Sequence, residues 1–324
     1  MPDDVKSELD SGDDATADSV VRQDQQRLRH SPKRARQATP RRLAPLAAVL
    51  IAAAVVVALL AAAGPLTSTP APVVATGPAS SSVPGSATGR QASEIVPAVP
   101  VEAGQLAALQ EATTFTMIAG TATDPSPQAA PNGLVVHPAT KVPAYASPGG
   151  PAVAAIPPQQ LGSDTWLPVV GEQPGWVQVL LPSRPNSSTA WIRVGDGVTI
   201  ARSPYLVVVD RSSFQLTLTR DGQQVGRWTV GIGKPSAVTP AGRTFVLASI
   251  KDTKQTFSPI VIPLGAHSDT HLSYGGGPGT VGVHGWPTDD VLGQASSDGC
   301  IRVPADALQM ISADVPLGTP VVIK

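Results

Sequence analysis

Apolar residues fall along this chain in successive regions of different pattern. Residues Pro45 to Ala63 (PLAAVLIAAAVVVALLAAA) form an uncharged run without a polar face. At ~1.5 Å rise per residue the run spans the roughly 30 Å of a bilayer core, which predicts a transmembrane anchor over residues 44–65. Lys33, Arg34, Arg36, Arg41 and Arg42 precede it. Basic flanks stay in the cytoplasm, so residues 1–43 are expected as a disordered cytoplasmic tail and the rest of the chain outside a cell membrane crossed once. A cleaved signal peptide competes with the anchor, since Ala61-Ala62-Ala63 fits a small-residue cleavage site. The length of the run and the polar stretch ahead of it favour the anchor.

Beyond the run the pattern thins. Residues 66–130 are rich in Pro, Ala, Ser, Thr and Gly, with few bulky side chains. Such a stretch buries too little to fold alone and reads as a linker, with a marginal helix at Val101 to Glu111. Extended at ~3 Å per residue, it reaches on the order of 200 Å. From 131 to 201 short apolar runs return, among them Val142–Tyr145, Val153–Ile156, Trp166–Val170, Trp176–Leu181 and Ala190–Ile192. Gly149-Gly150, Gly171, Pro174-Gly175 and Pro182–Asn186 separate them. Short strands at that spacing predict a small β-barrel.

From 203 to 324 the strands are clearer. Pro204–Asp210 is continuously apolar in its middle, and Phe214, Leu216 and Leu218 alternate with polar residues up to the Asp221-Gly222 turn. Further strands are expected at Val225–Ile232, Thr244–Ile250, Ile260–Leu264, Thr280–His284 and Val321–Ile323, with a short helix from Pro304 to Met310 or Ile311. The fold class is therefore mostly β.

Composition adds two constraints. The net charge of −1 averages over unlike segments, and neither it nor any motif calls for nucleic acid. Cys300 is the single cysteine, so an intramolecular disulfide and a multi-cysteine zinc site are excluded. A lone thiol outside the cell is a liability unless it is buried or used.

Two stretches carry candidate chemistry, Gly279–Gly285 (GTVGVHG) and Ser296–Arg302 (SSDGCIR). A histidine at a strand end and a cysteine on a later loop can meet. Imidazole can take the thiol proton, and the thiolate is the nucleophile. Gly299 lets the backbone turn so that amides near Cys300 face an oxyanion. The helix start near Arg302–Pro304 is expected to favour the thiolate, and Arg302 offers a forked donor for a carboxylate. An isolated cysteine and histidine would more often be an inert buried pair.

The full pattern is more specific. His284-Gly285, a spacer, then Ser297-Asp298-Gly299-Cys300-Ile301-Arg302 resembles the signature of L,D-transpeptidases of the YkuD type. Val230–Lys234 followed by Thr239-Pro240-Ala241-Gly242 resembles that family's strand and TP-x-G loop, and the likeness runs from Pro204 to Lys324. It implies an L,D-transpeptidase-type β-sandwich and a cysteine acyltransferase that uses no cofactor or metal. In it Cys300 is the nucleophile, His284 the base, and Gly285 the residue whose carbonyl orients the imidazole. Gly299 and Cys300 supply oxyanion-hole amides. Ser297 is a hydrogen-bonding motif residue, and Arg302 contacts substrate or shapes the site. The implied partners are peptidoglycan stem peptides as donor and acceptor, with β-lactams, carbapenems especially, as covalent inhibitors. The implied reaction is a 3→3 cross-link with release of D-alanine. Hydrolysis by an L,D-carboxypeptidase, protein-to-wall tethering and a non-enzymatic wall-binding scaffold stay open. Residues 131–201 resemble bacterial SH3-like modules, which implies wall binding or a spacer role in equal measure.

Asp298 stands where relatives often carry histidine or lysine, and Trp286 follows His-Gly where a small polar residue is common. Trp286 is expected to shape the acceptor side or to pack. Tyr274 with Gly275–Gly277 is expected as a flap touching substrate. His267 and His271 have the spacing of one helical turn, yet the loop composition around them argues against a metal site. Lys234 reads as an ordinary surface lysine.

Overall fold

The computed structural model describes residues 94–195, 197–251, 256–273 and 277–324. The expected tail and anchor lie outside the described residues, as do most of the linker's first half and Tyr274. Among the described residues no helix is long and apolar enough to cross a membrane.

The N-terminal module is built from β1 (Leu134–Pro138), β2 (Val142–Tyr145), β3 (Ala152–Ile156), β4 (Leu167–Gln173), β5 (Trp176–Leu180), β6 (Ser188–Arg193) and β7 (Val198–Arg202). They run in the order β7-β1-β4-β5-β6-β2-β3 in a curled antiparallel sheet. Apolar inward positions such as Val136, Ile156, Leu167, Val179 and Ile192 fill its interior. Of its tryptophans Trp176 is core, 1% exposed, whereas Trp166 stacks on His137 and abuts Gly318 of the following domain.

Residues 94–130 correct the linker expectation. They lie along the module as a strap with a short helix, α1 (Ala103–Ala108). Trp176 and Tyr145 donate to the carbonyls of Val96 and Val99, and Ala112 and Ile118 are buried. The strap makes no core of its own; it is ordered because the two β modules supply the surfaces it covers.

The C-terminal domain comprises β8 (Tyr205–Asp210), β9 (Gln215–Arg220), β10 (Gln223–Thr229), β11 (Gly242–Phe245), β12 (Val261–His267), β13 (Thr280–His284), β14 (Ile301–Arg302), α2 (Ala305–Asp314) and β15 (Pro320–Ile323). One sheet has the order β10-β9-β8-β15-β11, with β8 and β15 parallel. A second has the order β12-β13-β14, with β13 and β14 parallel. Val207, Leu216, Leu218 and Ile323 of the first meet Ile262, Val281, Val283 and Ile301 of the second in one core, closed by Leu308 and Ile311 of α2. Alternation along β9 leaves Thr217 and Thr219 outside that core, as its pattern predicts.

Several bounds differ from expectation. The strand expected over 244–250 breaks after Phe245 into single bridges, Val246 to Leu264 and Ile250 to Val261. The helix starts after Pro304, which is its N-cap, and continues to Asp314. Proline lacks the N–H that a strand would use, and its fixed φ suits the entry to a helix.

The two β modules share a seam. Phe245 and Leu247 of the C-terminal domain are buried in the N-terminal module's core. Arg243 Nε donates to Asp124 Oδ2 at 2.7 Å, and its Nη2 to Asp124 Oδ1, with both side chains almost fully buried. The described residues from 94 to 324 accordingly belong to one compact unit.

Candidate active site

The parallel pair β13–β14 builds the site. Val283 faces Ile301 across the pair and His284 faces Arg302. Val283 and Ile301 point into the core. Alternate residues take the opposite face, so His284 and Arg302 turn away from the core, and Cys300, just before β14, lies where the Gly282 amide bonds its thiol.

His284 is 6% exposed. Its Nδ1 lies 2.7 Å from the Gly285 carbonyl oxygen. A carbonyl only accepts, so Nδ1 carries the proton and Nε2 presents a lone pair in the neutral ring. Burial pushes the imidazole pKa down to about 4; the Gly285 bond opposes the fall and the Arg302 charge adds to it. The Gly285 peptide is itself held, because its N–H donates to Ser258 Oγ at 2.9 Å and Ser258 donates onward to the Ile260 carbonyl at 2.6 Å. Phe257 meets the imidazole edge to face at 5.0 Å and leans on Trp286.

Burial raises the Cys300 thiol pKa, the Gly282 amide and the Arg302 charge oppose the rise, and Asp298 adds to it. Thiol and imidazole thus both favour their neutral forms at neutral pH. Ser297, 2% exposed, ties the loop by donating to the Cys300 carbonyl at 2.6 Å. Its Oγ also accepts the Gly299 N–H at 3.2 Å. The Gly299 amide, expected to face an oxyanion, is committed to Ser297 here. Gly299 has φ +116, which only glycine adopts without strain. Buried Thr239 of the TP-x-G loop donates to the Gly299 carbonyl and accepts the Gly233 N–H, each at 2.9 Å.

Further expectations are corrected. β14 separates Cys300 from α2, so the sulfur does not sit at the helix N-terminus. The Arg302 guanidinium lies 3.9 Å over the Trp286 ring and donates to Ser296 Oγ at 3.2 Å. It forms part of the wall with Trp286. Lys234 is no ordinary surface lysine, because it pairs with Asp298 at 2.6 Å, and His271 approaches the same carboxylate at 3.5 Å. His267 ends a strand and is fully buried, bonded to the Thr114 carbonyl of the strap, whereas His271 lies on a loop. Among the described residues no group of side chains is arranged to hold a metal. Ser258, Phe257 and Thr114 had no local signal, since each acts on a residue distant in sequence.

Residues 204–323 match the L,D-transpeptidase catalytic domain of the YkuD family. YqjB of Bacillus subtilis (strain 168), named as an L,D-transpeptidase, is 28% identical over 125 residues, which are 37% of this chain and 70% of that protein. Among solved structures, an L,D-transpeptidase from Mycobacterium smegmatis is 15% identical over 46% of this chain and 90% of that one, with a TM-score of 0.32. L,D-transpeptidase 3 from Mycobacterium tuberculosis, solved with a faropenem-derived adduct, is 17% identical over 51% of this chain and 76% of that one, also with a TM-score of 0.32.

Proposed function

We propose, from the premise that residues 204–323 are an L,D-transpeptidase catalytic domain of the YkuD family, that this chain cross-links peptidoglycan through a Cys300 thioester. The observation that carries the reading is the tautomer of His284. Its Nδ1–H is fixed on the Gly285 carbonyl, which leaves the Nε2 lone pair to act as base, and the β13–β14 pairing sets His284 opposite Arg302, two residues past Cys300.

In the first step Cys300 Sγ attacks the carbonyl before the terminal D-alanine of a stem peptide, and its proton passes to His284 Nε2. The oxyanion is held by the Cys300 backbone N–H, since the Gly299 amide is taken by Ser297. The C–N bond then breaks, His284 returns the proton to the departing amine, and the thioester remains. In the second step a side-chain amine of a neighbouring stem attacks the thioester, His284 takes the amine proton, and the thiol is re-formed. The product is a 3→3 cross-link. The acyl energy of the donor bond is conserved, so no nucleotide is required. Ser297 and Thr239 hold the loop, Ser258 holds the peptide that orients the base, and Arg302 with Trp286 forms a cationic wall for a carboxylate-bearing substrate.

The run at 44–65 is read as an anchor that keeps the enzyme at the outer face of the cell membrane. The module over residues 131–201 is read as an SH3-like element fused to the catalytic domain, and carbapenems as covalent inhibitors that acylate Cys300.

The test uses residues 94–324, so that the strap and Asp124 are kept. The protein is incubated with a tetrapeptide muropeptide beside Cys300→Ala, and the products are read by mass spectrometry. A dimer lacking one D-alanine, absent with the variant, is the expected result. Tripeptide alone would make the enzyme an L,D-carboxypeptidase, and product from Cys300→Ala would overturn the cysteine mechanism.

A further inference from the structure

The seam between the two β modules has contacts of two kinds. Asp124 with Arg243 joins the strap to β11, and Ser203, at the junction of the two modules, bonds Thr319 in the turn before β15. Arg184 does something different. It sits in the loop between β5 and β6, and its guanidinium crosses into the C-terminal domain. Nη1 donates to the Ser268 carbonyl at 3.1 Å, and Nη2 to the carbonyls of His271 at 3.3 Å and Pro278 at 3.2 Å.

The aim of this side chain is fixed from behind. The Arg184 N–H donates to the Thr116 carbonyl, and its own carbonyl accepts the Ile118 N–H, each at 2.9 Å. Two residues on, Asn186 brackets the His267 peptide, accepting its N–H and donating to its carbonyl, each at 2.8 Å. The receiving side is shaped for the approach. Gly279 has φ +72, and a Cβ there would lie 3.0 Å from Arg184 Nη2 and 2.1 Å from the His271 carbonyl oxygen.

The carbonyls gripped by Arg184 belong to residues that border the nucleophile loop. Ser268 Oγ would be 3.8 Å from a Cβ on Gly299, the residue before Cys300. The same hydroxyl accepts the His271 N–H at 3.1 Å, and His271 Nε2 faces Asp298. One planar fork therefore holds the segment that walls Asp298 and Gly299. A lysine, with one compact charge, cannot reproduce three separated in-plane bonds.

We propose that Arg184 is a positioning residue for the Asp298-Gly299-Cys300 turn, so that the N-terminal module takes part in acyl transfer besides any role in holding the wall. The inference rests on Cys300 as the nucleophile. A displacement of the reacting group of about 1 Å costs on the order of 100-fold in rate.

The full chain is compared with its Arg184→Met, Arg184→Lys and Ser203→Ala variants. Thermal midpoints are recorded beside the rate of Cys300 alkylation by iodoacetamide, the rate of acylation by a carbapenem, and kcat and KM on a tetrapeptide stem. Arg184→Met is expected to slow both reactions at Cys300 by about 10- to 100-fold and to lower kcat more than it raises KM. Arg184→Lys should recover part of the loss, and Ser203→Ala should keep wild-type rates at a similar thermal midpoint. Wild-type rates in Arg184→Met would overturn the proposal. A rate loss in Ser203→Ala that follows its thermal midpoint would also overturn it, because the effect would then be general loosening of the seam. A chain that turns over no stem peptide, yet shows Arg184-dependent alkylation, would overturn the proposed function and support the positioning role.

Discussion

His267 and His284 close opposite ends of one antiparallel pair, His267 opposite Thr280 and His284 opposite Val261. Both are buried, and each ring donates to a backbone carbonyl at 2.7 Å. Burial is the leading cause of a lowered pKa in both. They differ in the nitrogen used. His284 binds through Nδ1 to its own neighbour, which leaves Nε2 with the lone pair proposed to serve Cys300. His267 binds through Nε2 to Thr114 of the strap, and its Nδ1 is buried without a hydrogen-bond partner among the described residues. Burial and a lowered pKa therefore do not identify a base. The direction of the remaining lone pair does.

The largest expected effect breaks the pair apart. His284→Gln is expected to lower kcat/KM on the order of 10²- to 10⁴-fold, the usual worth of a general base. His267→Leu should leave the rate of the folded enzyme nearly unchanged, because Asn186 holds the His267 peptide through its backbone. The pH profile sharpens the contrast. With the His284 pKa near 4, the acid limb of kcat/KM should fall near pH 4 instead of near the ordinary histidine value. A limb near 6.5 would mean that water reaches the imidazole and that burial does not depress it. The same lowering links to stability. His284 stays neutral in the fold down to about pH 4, whereas the unfolded ring takes its proton near 6.5, so the contribution is complete above about pH 6.5 and is lost as pH falls toward about 4.

The next effect concerns the strap that His267 reaches. Asp124→Ala leaves Arg243 buried without its carboxylate, which is expected to cost about 3–5 kcal/mol in a denaturant melt. A chain starting at residue 131 should lose at least as much. A melt within ~1 kcal/mol of wild type would mean that water reaches Arg243 and the seam is looser than described. His267→Leu is smaller. It removes the donor to the buried Thr114 carbonyl and should cost roughly 1–3 kcal/mol.

The same contrast explains what was legible beforehand. β9 could be read because Leu216 and Leu218 alternate with threonines, and the Asp221-Gly222 turn because its chemistry is local. His284-Gly285 and the Ser297–Arg302 motif were legible for a similar reason, since the atoms that orient the base and tie the turn lie within three residues of each other. The strap was not legible. Its composition is that of a linker, and its order comes from partners far along the chain, with Asp124 bonded 119 residues away and Thr114 153 residues away. Arg184 and Ser258 escaped notice for the same reason. The committed Gly299 amide escaped because Ser297 Oγ can accept while it donates, a choice that spacing does not fix.

The smallest effect lies at the rim, where Asp298 stands two residues before Cys300. Its carboxylate pairs with Lys234 and faces His271, and it adds to the upward shift of the Cys300 thiol. The pair is more than a third exposed on both sides, so Asp298→Asn should change stability by no more than about 1 kcal/mol. Chemistry at the sulfur is the more sensitive readout. Removing the carboxylate takes away its contribution to the raised thiol pKa, so alkylation of Cys300 at pH 7 should accelerate about two- to five-fold. A slower reaction would carry the opposite lesson. Asp298 would then act mainly by keeping His271 and the Ser268 segment against the turn, and the rim would belong with the tethering histidine rather than with the catalytic one.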